Sequence, residues 1–206
     1  VIRSRLRAKP VVQREVKRRD ASRLNIARAS SVEEVAYDSR DSDYKSILKY
    51  ITNKYKKIKK EDADLIAKSL VSYGRDHNLD PKFAAAVIAR ESGFNKKSIS
   101  STGAKGLGQL KDFNHKPLGI NDPYDIKQNV KGTVKYLKEM LSNWTDSSKK
   151  VALSLASYYK GYGAVQRGNQ ELDSKTQKYV NDILKKYDEI KNMREKIERE
   201  FVNLAR

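Results

Sequence analysis

Apolar side chains recur at intervals of three and four through most of the chain, which is the period of a helix with one buried face. From Tyr44 they fall at Ile47, Leu48, Ile51, Tyr55 and Ile58, predicting an amphipathic helix that ends in a lysine run. A second helix is expected over Asp62 to His77 through Leu65, Ile66, Leu70 and Tyr73. Asp80 then suits an N-cap and Pro81 a first helical position, opening a helix through Phe83, Ala84, Val87 and Ile88. Asp122-Pro123-Tyr124 opens another through Ile126, Val130, Val134, Leu137 and Leu141. Asp146 to Tyr159 predicts a further helix, with Val151, Leu153, Leu155 and Ala156 facing inward. Thr176 to Arg206 reads as one long helix whose seam of Ile183, Tyr187, Ile190, Ile197, Phe201 and Leu204 is interrupted by Arg194 and is expected to pack within the molecule.

No stretch alternates as a β-strand would, so the expected fold is all-α or nearly so. Residues 1–30 mix basic clusters with Val11, Val12, Val16, Leu24 and Ile26 without separating them into faces, and read as a peripheral helix or tail. The Ser, Asp and Glu of residues 31–43 predict a linker or a helix start, with Ser31 and Glu34 spaced as a capping box.

The net charge of +18 adds an anionic partner to this picture. Residues 1–60 hold 18 Lys/Arg against 7 Asp/Glu, whereas the rest of the chain holds 26 against 19. Nucleic acid, anionic lipid and wall polymers would all be attracted by such a region. The basic segment lacks interleaved aromatics that would stack on bases, so no nucleic acid is expected. The absence of cysteine excludes disulfides and thiolate chemistry, and two histidines leave little for a metal site or a Ser-His-Asp triad. No cofactor or metal is expected. No apolar run approaches the length of a membrane span, and the chain begins at Val1 without a signal core, as expected of a mature or trimmed form.

Glu91 is the residue on which chemistry converges. It follows Ile88 by three positions, Val87 by four and Ala84 by seven, which places it on the apolar face of its helix. A carboxyl pressed against apolar side chains resists ionisation and holds its proton toward neutral pH, as a general acid must. A plainer reading has Glu91 pairing with Arg90 or capping a helix that Gly93 terminates. Gly106 and Gly108 do not make a phosphate loop, because neither a preceding strand nor a Walker lysine accompanies them.

Four ordered blocks surround this residue: Glu91-Ser92, Phe94, Ser100, Gly103-Ala104, Gly106-Leu107 and Gln109-Leu110; Asp122-Pro123, Asn129-Val130 and Tyr136-Leu137; Ser157-Tyr158, Gly161, Gly163 and Val165; and Thr176 with Tyr179-Val180. In these residues the chain resembles the lytic transglycosylase domain of the soluble lytic murein type, within the lysozyme-like superfamily. The resemblance spans about residues 62–188. It implies a lysozyme-like domain over 61–188, preceded by a basic helical extension over 1–60 and followed by a helical extension over 189–206.

The implied activity is cleavage of the β-1,4 bond between N-acetylmuramic acid and N-acetylglucosamine in peptidoglycan. A single glutamate, Glu91, acts first as acid and then as base, leaving a 1,6-anhydro end. Ser100, Gln109, Tyr158 and Tyr179 are the implied substrate-binding residues, peptidoglycan glycan strands the partner, and the periplasm or cell exterior the location. The basic N-terminal region is expected to touch anionic wall or membrane surfaces; nothing indicates an oligomeric state.

Lys111, Asp112 and Asn114 depart from the family's usual Met, Pro and Thr, and Tyr159 replaces its asparagine. Two rival functions stand beside this one. A goose-type lysozyme would hydrolyse the same bond, with Asp112 or Asp125 positioning water. A scaffold would bind the wall without cutting it.

Overall fold

The computed structural model describes residues 41–145 and 147–204, which cluster as one compact unit. The helix or tail expected over 1–30 and the Ser31–Glu34 capping box lie outside the described residues. The described fold is all-α. Helix α1 runs Ser42–Lys54, α2 Lys60–Asp76, α3 Pro81–Glu91, α4 Asp112–Leu118, α5 Ile126–Ser142, α6 Lys150–Lys160, α7 Tyr162–Arg167 and α8 Ser174–Leu204. Two isolated bridges, Ile99 to Lys105 and Lys105 to Leu110, are the extended pairing among the described residues.

Helix α3 is the buried centre. Every residue from Pro81 to Ala89 is buried, and the helix packs on α2 and α8. Around it α1 lies against α2 and α8, α2 against α5, and α5 against α6. Ile47, Ile66, Leu70, Ile88, Leu107 and Leu137 are fully buried in the shared core. Each such side chain contributes about 1.5–3 kcal/mol through removal from water.

A chain of charged and polar contacts fixes the start of α3. The Asp80 carboxylate accepts from Lys82 N, capping the helix, and also accepts from the Tyr187 hydroxyl at 2.7 Å. The buried Lys82 ammonium reaches Asp80 at 2.9 Å and Asp43 at 2.8 Å. Arg194 joins the same group, with Nε 3.1 Å from Asp43 and 3.1 Å from Ser42 Oγ. Its place in the apolar seam of α8 is thereby explained: it ties α8 to the start of α1. Of the seam, Ile183, Ile190 and Ile197 are buried within the molecule, while Phe201 and Leu204 lie outside the described side chains.

Several element boundaries differ from the sequence reading. Helix α1 stops at Lys54 rather than continuing past Ile58, because Tyr55 leaves helical geometry and places its ring 5.0 Å from that of Phe94. Helix α5 begins at Ile126, with Asp125 accepting from Gln128 N, while Asp122 caps the preceding turn at Tyr124 N. Helix α6 begins at Lys150, and Val151 is exposed rather than inward. Helix α8 starts at Ser174, so Thr176 lies inside it.

Candidate functional site

Glu91 is the last residue of α3, and its carboxylate accepts a hydrogen bond from the hydroxyl of Tyr179 on α8. Arg90 turns away to Asp182 at 3.1 Å and lies over the Tyr179 ring. The plainer reading of Glu91 as Arg90's partner therefore does not hold. Burial pushes the Glu91 carboxyl up to about 7, although the Tyr179 hydrogen bond and the Arg90 charge work to lower it. Desolvation wins that contest, so the group is poised between acid and base near neutral pH.

Past Glu91 the chain turns sharply through Gly93 at φ 57° and Phe94 at φ 63°. For a bulky residue this left-handed geometry is an outlier costing on the order of 1–3 kcal/mol. Phe94 is held there by burial and by edge contacts with the rings of Tyr55 and Tyr50. Helix α1 thus braces the turn that ends the Glu91 helix.

The turn leads into the loop of residues 98–110, which the two bridges fold back on itself. Ser100 Oγ accepts from Ala104 N at 2.9 Å and lies 3.1 Å from Thr102 Oγ1. Gln109 has φ 49°, and its side-chain nitrogen donates to Ser98 O at 3.1 Å and Gly106 O at 2.9 Å. These two bonds fix the amide, with Gln109 lining the cleft.

Gly106 and Gly108 of this loop are there for close approach. A Cβ on Gly106 would lie 2.1 Å from Pro123 O, and one on Gly108 would lie 1.9 Å from Thr133 Oγ1. The buried Asn129 clamps the loop, donating to Pro123 O at 2.7 Å and accepting from Gly108 N at 2.8 Å. Tyr158 donates to Gly108 O at 2.7 Å.

These elements enclose a cleft of about 310 Å³ in which Glu91, Ser100, Gln109 and Tyr158 come together. Tyr179 does not line it. It is buried behind Glu91 and stacks on Tyr159, with ring centroids 4.5 Å apart and planes 18° apart. Tyr159 itself faces the cleft, beside Tyr136, Lys111, Phe113, Asn114 and Lys160.

Glu91 is the one carboxylate among the described residues lining the cleft. Asp112 is exposed and bonded to Lys105, which holds its carboxyl below the usual range, and Asp125 is occupied as the cap of α5. A larger groove of about 710 Å³ between α1 and α8 is floored by Leu48, Ile58 and Ile197 and rimmed by lysines. Its lining acid, Glu200, is exposed to solvent rather than desolvated, so volume alone does not mark the site.

Sequence reasoning did not assign Tyr136, Asn129 or Phe113 to the site. Asn129 and Tyr136 stand in the family-like blocks, and an asparagine in the first turn of a capped helix, among apolar neighbours, is the available signal for the clamp. Nothing in the local pattern marked Phe113.

The family model described as "Transglycosylase SLT domain" matches residues 70–181. Among curated relatives, the "Transglycosylase" of Enterobacteria phage PRD1 is 34% identical over 109 residues, covering 53% of this chain and 38% of that protein. The "Membrane-bound lytic murein transglycosylase F" of Shewanella woodyi is 33% identical over 135 residues, covering 64% of this chain and 26% of that protein. The chain thus spans well under half the length of these relatives. Among solved structures, the 70 kDa soluble lytic transglycosylase Slt70 of Escherichia coli aligns over 77% of this chain and 31% of its own, with a TM-score of 0.52 and 20% identity. That likeness concerns the fold.

Proposed function

The chain belongs to the transglycosylase SLT domain family, and we propose that it is a peptidoglycan lytic transglycosylase in which Glu91 is the catalytic acid and base. One observation carries this reading: the cleft holds one half-buried, desolvated carboxyl, raised to about 7, and among the described residues no second carboxylate lines it. Most glycosidases work with two carboxylates roughly 5–9.5 Å apart. A site with one must let the same group give a proton and take one back.

Glu91 donates its proton to the bridging oxygen of the β-1,4 bond, which breaks to release the N-acetylglucosamine end. The N-acetyl group of the muramic acid stabilises the developing charge at C1. Glu91, now a carboxylate, withdraws the proton from the C6 hydroxyl, whose oxygen closes on C1. The ring so formed is the 1,6-anhydro end, and Glu91 is again protonated.

Tyr179 acts through Glu91, orienting the carboxyl and tempering its affinity for the proton. Gln109 and Ser100 offer polar contacts to the sugar, and Tyr158 holds the loop that presents them. Lys111 at the cleft adds positive charge that suits the carboxylates of a peptidoglycan strand.

Cell-envelope association, in the periplasm or outside the cell, follows the membrane-bound naming of the relatives. No helix among the described residues is long and apolar enough to cross a membrane. In this reading the basic residues 1–60 contact anionic wall or lipid surfaces.

Digestion of purified peptidoglycan, with mass spectrometry of the released muropeptides, tests the assignment. The wild type is expected to yield anhydro-muropeptides, and Glu91→Gln to lose at least a hundredfold in rate. Reducing muropeptides would make the protein a lysozyme; no product from the folded wild type would make it a binding scaffold.

A further inference from the structure

Two aromatic side chains are strongly exposed among the described residues, Phe113 at 77% and Tyr159 at 37%, and both line the cleft that contains Glu91. A single exposed apolar side chain is ordinary; two aromatics sharing the rim of the cleft that holds the candidate acid are placed where a ligand would cover them. The two differ in what their faces do. The ring of Tyr159 is committed to Tyr179 by parallel stacking, and the Lys175 ammonium lies 6.0 Å from its centroid. Phe113 enters none of the ring or cation contacts of the described residues, and its ring is open to solvent.

Its position is held firmly although its side chain is not covered. Helix α4 is anchored behind it by Leu118, which is buried, and by the His115 ring at 3.1 Å from Leu110 O. Lys111, just before the helix, donates to Thr102 O at 2.6 Å and so joins α4 to the loop carrying Ser100. Asn114, the next residue, also lines the cleft, with its side chain hydrogen-bonded to Tyr136. A flat apolar face with polar groups at its edge is the arrangement that takes a pyranose ring, whose C–H face packs on the aromatic while its hydroxyl and acetamido groups are met at the rim.

We propose that Phe113 forms an additional sugar-binding subsite, a platform on the α4 wall that holds an N-acetylated pyranose of the glycan strand by stacking. This rests on the peptidoglycan reading of the same cleft. The subsite explains why the chain carries a large aromatic on a rim that otherwise departs from its family: the departure adds grip on the strand without touching the acid.

The test uses the whole chain carrying Glu91→Gln, so that ligand is bound without being cut, and as probe peptidoglycan glycan strands freed of stem peptides. Binding is read by calorimetry. Adding Phe113→Ala is expected to weaken the dissociation constant about tenfold, Phe113→Trp to restore it, and Phe113→Leu, apolar but not flat, to remain weak. Because the side chain is exposed, the melting temperature should stay unchanged in all three.

Equal affinity of the Phe113→Ala and parent proteins would overturn the subsite, and full affinity with leucine would overturn stacking as its basis. Failure of the parent protein to bind the strands overturns the subsite as well. Cleavage of the same strands by the chain with Glu91 intact is scored separately, so a protein that cuts them while ignoring Phe113 refutes this inference alone.

Discussion

On one wall of the cleft, the end of α3 and the start of α8 press a half-buried carboxyl against a buried phenol; on another, α4 leaves Phe113 in water, with the exposed Asp112 just outside the cleft. The two carboxyls show what this difference does. Glu91 is desolvated and rises to about 7, while Asp112, in solvent beside Lys105, falls below its ordinary value. Both are acidic side chains, yet one is set up to hold a proton and the other to lose it. Burial decides chemistry here, and exposure decides recognition.

The largest effect is expected from the loop that joins the two walls. Gly108→Ala would place a methyl group 1.9 Å from Thr133 Oγ1 and 3.0 Å from the Tyr158 hydroxyl. Neither neighbour can yield easily, since Thr133 is fully buried and Tyr158 is bonded to Gly108 O. Overpacking of this kind costs about 1–3 kcal/mol and more when backbone must move. A clear drop in the urea midpoint together with loss of cleavage is the expected result, and wild-type stability would break the close-approach account of this glycine.

Tyr179→Phe comes next and tests the buried wall. The hydrogen bond from Tyr179 favours the carboxylate, so its loss moves the titration of Glu91 further above about 7. The limb of the pH–rate profile on which the acid form is lost should therefore shift to the alkaline side. Turnover is expected to fall roughly tenfold to a hundredfold as the carboxyl loses its orienting partner. A shift to the acid side would contradict the assignment of Tyr179.

The smallest effect belongs to the exposed wall. Asp112→Asn removes a surface ion pair with Lys105, and pairs of this kind contribute little. Cleavage rate and product identity should stay within about twofold of wild type. A tenfold loss would instead give Asp112 the water-positioning role of a hydrolase.

Much of the buried wall was legible from sequence. The spacing of Ala84, Val87, Ile88 and Glu91 placed a carboxyl on an apolar helix face, and Asp80-Pro81 marked where that helix begins, because caps and periodicity are local properties. Tyr179 was reached through the family resemblance; its bond to Glu91 joins residues far apart in sequence, which no local pattern reports. Helix α4 was missed because seven residues with Pro117 among them hold no apolar period. Asp122 was preferred over Asp125 as the cap of α5 because both follow the same rule, and the choice turned on which carboxylate the tertiary turn brought to Gln128 N. The stacking of Tyr159 on Tyr179 likewise depends on where α6 ends against α8, so sequence showed a departure at that position without showing its use.

The most direct measurement is the titration of Glu91 itself, followed through the side-chain carbons of carbon-13-labelled glutamate by NMR and assigned by the signal that disappears in Glu91→Gln. A single glutamate titrating near pH 7, well above the others, is the predicted result. A Glu91 that titrates near 4.5 would be ionised at neutral pH with no proton to give the glycosidic oxygen, and the one-carboxyl account would fail.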